Sequence, residues 1–211
     1  MPLLIVVLGG VALAELGSAE WRKAAERAEI AQRKGDEREA ADACLEVAKD
    51  DSERAVKLIA QTFAKFPGAQ EDLFDKVFEA LAGVKSPGGV AEMRKELSSA
   101  RDWRLRVLLV DVLGGRGKAE QDALIGALGD RQEEVVRGAT RQLARLRTET
   151  GLVALCDAMA KLESKGKTAA TWQDMRNALM RALGVDLQGG ADYKNYLEAN
   201  KERFVEGRGI P

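Results

Sequence analysis

The chain has 211 residues, 45% apolar, 32% charged and 5% aromatic, with a formal net charge of −1 and no histidine. This is enough apolar material for a core under a soluble surface, and the weight on Ala and Leu over aromatics favours helices over sheets. The charge balance excludes a non-specific nucleic-acid binder, which needs excess Lys and Arg to displace counterions. The missing histidine removes the usual general base, the Ser-His and Cys-His pairs and most zinc sites.

In chain order, the opening "MPLLIVVLGGVALAE" carries no charge before Glu15. Its apolar run, Leu3 to Leu13, is shorter than the about 20 residues a bilayer span needs. It ends in Ala12-Leu13-Ala14, the small-x-small pattern of a signal-peptidase site, with Ala19 as a second cleavage position. Residues 1–19 therefore read as an export signal without the usual basic start, or as an apolar helix packed on the body. Export places the protein in the periplasm or outside the cell; an uncleaved leader leaves it cytoplasmic.

Everything after the leader has helical periodicity. Residues 20–33 form a charged, Ala-rich helix that Gly35-Asp36 breaks. Ala40, Ala43, Cys44 and Val47 recur at helical spacing, as do Ala55, Leu58, Ile59, Thr62, Phe63 and Phe66 before the Pro67-Gly68 stop. Leu73, Phe74, Val77, Phe78 and Leu81 follow, ended by Gly83 and a turn at "SPGG" (86–89). Met93 and Leu97 mark a shorter helix. Leu105, Leu108, Leu109, Val112 and Leu113 come next, then Ala123, Leu124, Ala127 and Leu128. Val135, Val136, Ala139, Leu143 and Leu146 form another stripe, as do Leu152, Leu155, Cys156, Met159 and Leu162, and finally Trp172, Met175, Leu179 and Leu183. Each stripe predicts one buried helix face, and no segment alternates as a strand does. The short connections force antiparallel neighbours, and about ten helices in such succession suggest stacked hairpins.

"LSSARDWRLRVLLVDVLGG" from Leu97 and "LGDRQEEVVRGATRQLARL" from Leu128 align with a period of 31 residues, placing Leu105-Arg106 over Val136-Arg137. This resembles the HEAT repeat, including its phycobilisome-lyase-like subgroup, in which a turn Asp, a Val-Arg pair and a closing apolar-small pair recur. Asp130, Val136-Arg137 and Leu143-Ala144 carry that pattern. The preceding unit keeps Leu105-Arg106 and Leu113-Gly114 but has Ser99 where Asp130 sits. The end, "ALGVDLQGGADYKNYLEANKERF", is similar to tails that close HEAT arrays in bacterial exported proteins. Gly184, Asp186 and Asn200 match, with Tyr193 and Tyr196 in place of tryptophans. The resemblance covers residues 85–205, and less closely 36–84. Residues 20–84 also admit a tetratricopeptide-like reading around Gly35-Asp36, without that family's full Trp-Leu-Gly-Tyr pattern.

The resemblance implies an all-α fold, a right-handed α-solenoid of about five hairpins with a C-terminal capping helix. It implies four segments: 1–19, hairpins at 20–84, HEAT repeats at 85–184, and a cap and tail at 185–211. Asp130, Arg106 and Arg137 would hold structural repeat positions, with Arg137 pairing to a turn carboxylate such as Asp130. Such arrays are non-enzymatic scaffolds for protein partners, with no cofactor or metal. Enzymes and chaperones of HEAT-like fold, bilin lyases or DNA glycosylases, are the alternative.

"GGRGKA" at 114–119 resembles a phosphate loop only superficially. The first glycine of a P-loop would fall at Val112 and its Ser/Thr at Ala119. Gly114-Gly115 instead reads as a helix C-cap at positive φ. Arg137, Arg141 and Arg145 share a helix face, flanked by Arg131 and Arg147, and read mainly as pairing and solvated residues. The acids of 36–54 form an N-terminal patch without a calcium-loop pattern. Cys44 and Cys156 fall in apolar stripes and read as buried; a bridge between them is not decidable from spacing. The partner-contact candidates are Trp21, Trp103, Arg141 and Arg145, the tryptophans placed near helix starts.

Overall fold

The computed structural model describes residues 3–68, 71–166 and 170–202, with side chains from residue 19 onward. These residues form eleven α-helices and one 3-10 turn, with no strand among them. The leader's side chains, like residues 203–211 of the tail, lie outside the described ones. The chain divides into two compact units, Met1–Glu96 and Leu97–Pro211.

The first unit holds α1 (Leu3–Lys34), α2 (Glu37–Ala48), α3 (Glu53–Ala64), α4 (Glu71–Gly83) and most of α5 (Pro87–Ser99). Helix starts follow capping chemistry. Asp36 accepts from the Glu39 N–H at 3.0 Å, and Ser52 accepts from the Ala55 N–H at 3.3 Å. "SPGG" is not a terminating turn: Ser86 Oγ accepts from the Gly89 N–H at 3.1 Å and Pro87 is the first residue of α5. Proline suits that position because its missing N–H would have no helical partner. α1 also differs from the helix expected at 20–33, since it begins at Leu3, and Trp21 therefore lies mid-helix.

In this unit α2 packs on both α1 and α4, and α1 also meets α3. α1 lies along α3, where Gln32 Nε2 donates to Thr62 Oγ1 at 2.8 Å and the Arg54 guanidinium stacks 4.1 Å over the Trp21 ring. α2 lies along α4, where Lys76 pairs with Asp42 at 2.7 Å. Asp51, at φ 45°, accepts from the Lys85 and Ser86 N–H groups at 2.7 and 2.8 Å. Most stripe residues are fully buried, among them Ala40, Ala43, Cys44, Val47, Ile59, Phe63, Leu73 and Leu81. Phe74 meets Phe63 edge to face, with ring centroids 4.9 Å apart. Phe78 departs from its stripe and is 40% exposed.

The second unit holds α6 (Trp103–Gly115), α7 (Gln121–Ala127), α8 (Glu133–Leu146), α9 (Glu149–Ser164), α10 (Ala170–Leu183) and α11 (Gly190–Ala199). α6, α8 and α10 lie side by side, and α7, α9 and α11 form the second layer. The first layer runs in parallel register. Gln142 Nε2 donates to Asp111 Oδ1 at 2.8 Å and Arg145 donates to the Gly114 carbonyl at 2.7 Å, each across 31 residues. α6 is buried on most of its circumference, from Leu105 to Gly114.

Gly114-Gly115 does not cap α6. Both glycines remain in the helix, Arg116 is the right-handed C-cap, and positive φ falls on Gly117 at 86°. Tertiary contact explains the shift. A Cβ on Gly114 would lie 2.5 Å from the Gln142 side chain, so the glycine serves close helix approach rather than a turn.

α11 reverses direction against α9. Lys201 pairs with Glu149 at 3.2 Å, Lys194 with Asp157 at 2.8 Å, and the Gly190 N–H donates to Glu163 Oε1 at 3.1 Å. The connecting segment runs back along α10, held by Arg176, which donates to the Leu187 carbonyl at 3.1 Å and to Asp186 at 2.6 Å. Tyr193 is fully buried, its hydroxyl accepting from the Leu187 N–H at 3.2 Å. Glu163 also accepts from the Trp172 indole at 2.8 Å, which joins α9, α10 and α11 at one carboxylate.

Candidate functional site: an arginine groove on α8 and α10

The charged residues separate into paired and unpaired groups. The acids of 36–54 are largely neutralised: Glu39 by Arg27 at 2.8 Å, Asp42 by Lys76 at 2.7 Å, Glu46 by Lys49 at 2.7 Å and Asp50 by Arg54 at 2.6 Å. The Lys76 ammonium holds the Asp42 carboxyl below its ordinary value, and Arg54 does the same for Asp50. The surface beside Trp21, a groove of about 520 Å³ lined by Lys23, Arg27, Glu46, Lys49 and Asp50, thus carries charges of both signs.

In the second unit the repeat positions pair differently from the pattern the resemblance implies. Asp130 pairs with Arg106 and not with Arg137. Arg106 Nε donates to Asp130 Oδ2 at 2.7 Å and its second nitrogen to Oδ1 at 2.9 Å, a two-pronged fork. The third nitrogen donates to the Ala100 carbonyl at 2.6 Å. The Arg106 side chain is 4% exposed and that of Asp130 12%. Burial pushes the Asp130 carboxyl up, but Arg106 and the Gln132 N–H outweigh it and hold the group below its ordinary value. Register is the cause: an arginine on one helix reaches the turn that opens the next helix of the same layer. Arg137 also faces the next helix of the layer but reaches its body, not the turn before it. Its Nε lies 3.0 Å from Asp174 of α10, off the hydrogen-bond axis.

Arg141 and Arg145 come together with two arginines from elsewhere. Arg141, Arg145, Arg147 and Arg181 line an open groove of about 500 Å³ whose floor is Ala144, Ala178 and Ala182. All four arginines are exposed. Arg145 donates to Gly114 O at 2.7 Å and Arg147 donates to Arg181 O at 3.3 Å, so these two satisfy carbonyls near the C-terminal ends of α6 and α10. Each keeps further N–H donors, since a guanidinium carries five. No carboxylate pairs with any of the four among the described residues. Trp103 starts α6, about 16 Å along that helix from Gly114, and so stands apart from the groove; it is 40% exposed. Trp21 belongs to the other unit. Its ring is covered by Arg54 and its buried indole nitrogen has no hydrogen-bond partner.

Arg147 sits at φ 49°, the left-handed region that side chains other than glycine avoid. Arg147→Gly removes that strain, worth about 1–2 kcal/mol, against about 0.5–1 kcal/mol of added unfolded-state entropy. The variant should therefore be slightly more stable in urea titration although it loses its bond to α10. A clear loss of stability would mean that the contact to Arg181 outweighs the backbone strain.

Arg181 escaped sequence reasoning because its approach to α8 depends on the α8–α10 register, which no local spacing reports. Neither cysteine offers chemistry: burial pushes both thiols up to about 12, Cys156 with help from the Asp157 charge. Among the described residues no group of three or more His, Cys, Asp or Glu is placed to hold a metal ion. None of their helices is long and apolar enough to cross a membrane. No known protein family matches the chain, and no curated protein shows significant similarity to it.

Proposed function

We propose that each unit is a stretch of HEAT-type α-solenoid and that the chain is a non-enzymatic scaffold for a protein partner, acting outside the cytoplasm. One observation carries this reading: α2 and α4 in the first unit, and α6, α8 and α10 in the second, pack in parallel register on the next helix but one. The joining bonds span 34 residues between Asp42 and Lys76 and 31 between Asp111 and Gln142. That is the arrangement by which repeated hairpins bury a continuous core. Its rigid helices hold surface side chains in place before a partner arrives, which lowers the ordering cost of binding. The function itself rests on analogy between folds.

The test is a pull-down with the full chain, tagged at its C-terminus, from the native cells, with mass spectrometry of the eluate. A protein retained near one-to-one and released by salt is the expected result. Retention of nucleic acid or a coloured cofactor without a protein would replace the scaffold by the enzyme alternative. The same spectra read the bait's own first residue. A start at Glu15 or Glu20 supports export, and an intact Met1 ends that part of the proposal.

A further inference from the structure

We infer that the groove of Arg141, Arg145, Arg147 and Arg181 is the docking site for an acidic peptide segment of a protein partner. The inference rests on the scaffold reading and names the chemistry of the partner.

Four observations lead there. First, these cations are unneutralised in a unit that pairs many of its others. Arg104 meets Asp102, Arg106 meets Asp130, Arg176 meets Asp186 and Lys194 meets Asp157. Like charges gathered on adjacent helix turns destabilise a helix, so the cluster exists at a cost that an incoming anion offsets. Second, the cations are partly fixed. The bonds from Arg145 to Gly114 O and from Arg147 to Arg181 O hold two stems in place while leaving other N–H groups for a ligand. Third, the floor is alanine from both helices, Ala144 from α8 and Ala178 and Ala182 from α10. Small side chains between long ones leave a channel in which a peptide backbone lies flat. Fourth, the size is that of a short peptide. Arg141 to Arg147 is about 9 Å along α8, or about three residues of extended chain, whose successive side chains point to opposite sides, so consecutive acidic residues can reach guanidiniums on both walls. Guanidinium forks match carboxylates in plane and spacing. Nucleic acid fits less well, because the net charge of −1 supplies no wider basic field to follow a phosphate backbone.

The probe is a fluorescein-labelled peptide of consecutive Asp residues, titrated with the full-length protein at low salt and read by anisotropy. Its all-Asn counterpart and an oligothymidylate of equal charge run beside it. Arg141 and Arg181 make no side-chain bond among the described residues, so the Arg141→Gln/Arg181→Gln variant should keep its melting temperature. Its Kd for the acidic peptide should rise about tenfold, equal to about 1.4 kcal/mol. The control Lys34→Gln/Lys65→Gln removes the same charge from exposed sites in the other unit and should change Kd by less than about twofold, since those sites stand outside the groove. Absence of peptide binding, or equal weakening in both variants, overturns the groove. Tighter binding of the oligothymidylate than of the peptide overturns it in favour of a nucleic-acid surface. The Arg141→Gln/Arg181→Gln protein is then used as bait in the pull-down. A partner still retained means the scaffold reading survives while this site falls; a partner lost together with peptide binding supports both.

Discussion

Replacing Arg106 by alanine should cost the second unit about 3–5 kcal/mol, the usual result of removing one partner of a buried ion pair. The loss has two parts. Asp130 keeps its burial but loses both prongs of the fork, and the Ala100 carbonyl loses its donor. The pH dependence separates this from a simple cavity. In the parent, the Asp130 carboxyl lies below its ordinary value. Its contribution is therefore fully present above about pH 4, the unfolded value, and is lost as the pH falls through the folded one. In the variant, burial acts without the counter-charge, so Asp130 takes up a proton more readily. The gap between parent and variant should be widest near neutral pH and narrow on acidification. Urea titrations followed by far-UV circular dichroism at several pH values measure this. A pH-independent gap would mean that lost packing, not the ion pair, carries the effect.

The pairing also shows what local sequence conveys. The 31-residue offset aligns Arg106 with Arg137 in the sequence, and both reach the neighbouring helix of the layer, Arg106 at the turn before α8 and Arg137 in the body of α10. Which carboxylate each reaches was not legible, because Asp130 lies close to Arg137 along the chain and close to Arg106 only in space. The stripes were legible, since burying one face of a helix imposes a period that residues such as Leu105, Leu109, Val112 and Leu113 record directly. Phe78 followed the period and is still 40% exposed, because the described residues leave that edge of α4 partly uncovered. Gly114-Gly115 misled for the opposite reason. Two glycines locally signal a helix end, yet the approach of Gln142 uses the first of them inside the helix. Three of the groove's four arginines were visible in the sequence, as the Arg141–Arg145 stripe and its flank at Arg147. Arg181 was not, since a surface made by two helices exists only once their register is set.

The second large effect is expected at Gly190, the first residue of α11. A Cβ there would lie 2.4 Å from the Cys156 carbonyl oxygen and 2.7 Å from the Ala160 nitrogen. Both are backbone atoms inside α9 and cannot move aside as a flexible side chain does. Gly190→Ala should cost about 2–3 kcal/mol, the scale of overpacking in a close contact. The damage should be local, with α11 lifting from α9 and taking the buried Tyr193 with it. Hydrogen exchange should then accelerate across Gly190–Ala199 while α6 and α8 stay protected. Gly88 supplies the control: it lies in α5, and a Cβ added there would meet nothing within 4 Å. Gly88→Ala should be neutral or mildly stabilising, because alanine is the better helix former. Unchanged exchange in α11 of the Gly190 variant would show that the contact tolerates a methyl group.

The reversal of α11 has a consequence for how such a chain can lengthen. Gene duplication extends a repeat protein when a new hairpin meets a neighbour running in its own direction, as α8 meets α6. A hairpin inserted between α7 and α10 finds that condition on both sides. One appended after Ala199 finds α11 running the other way, with the segment of Arg176, Asp186 and Leu187 already laid across the edge of α10. For the array of hairpins proposed above, a further copy stacks in register by insertion ahead of α10 and not against α11.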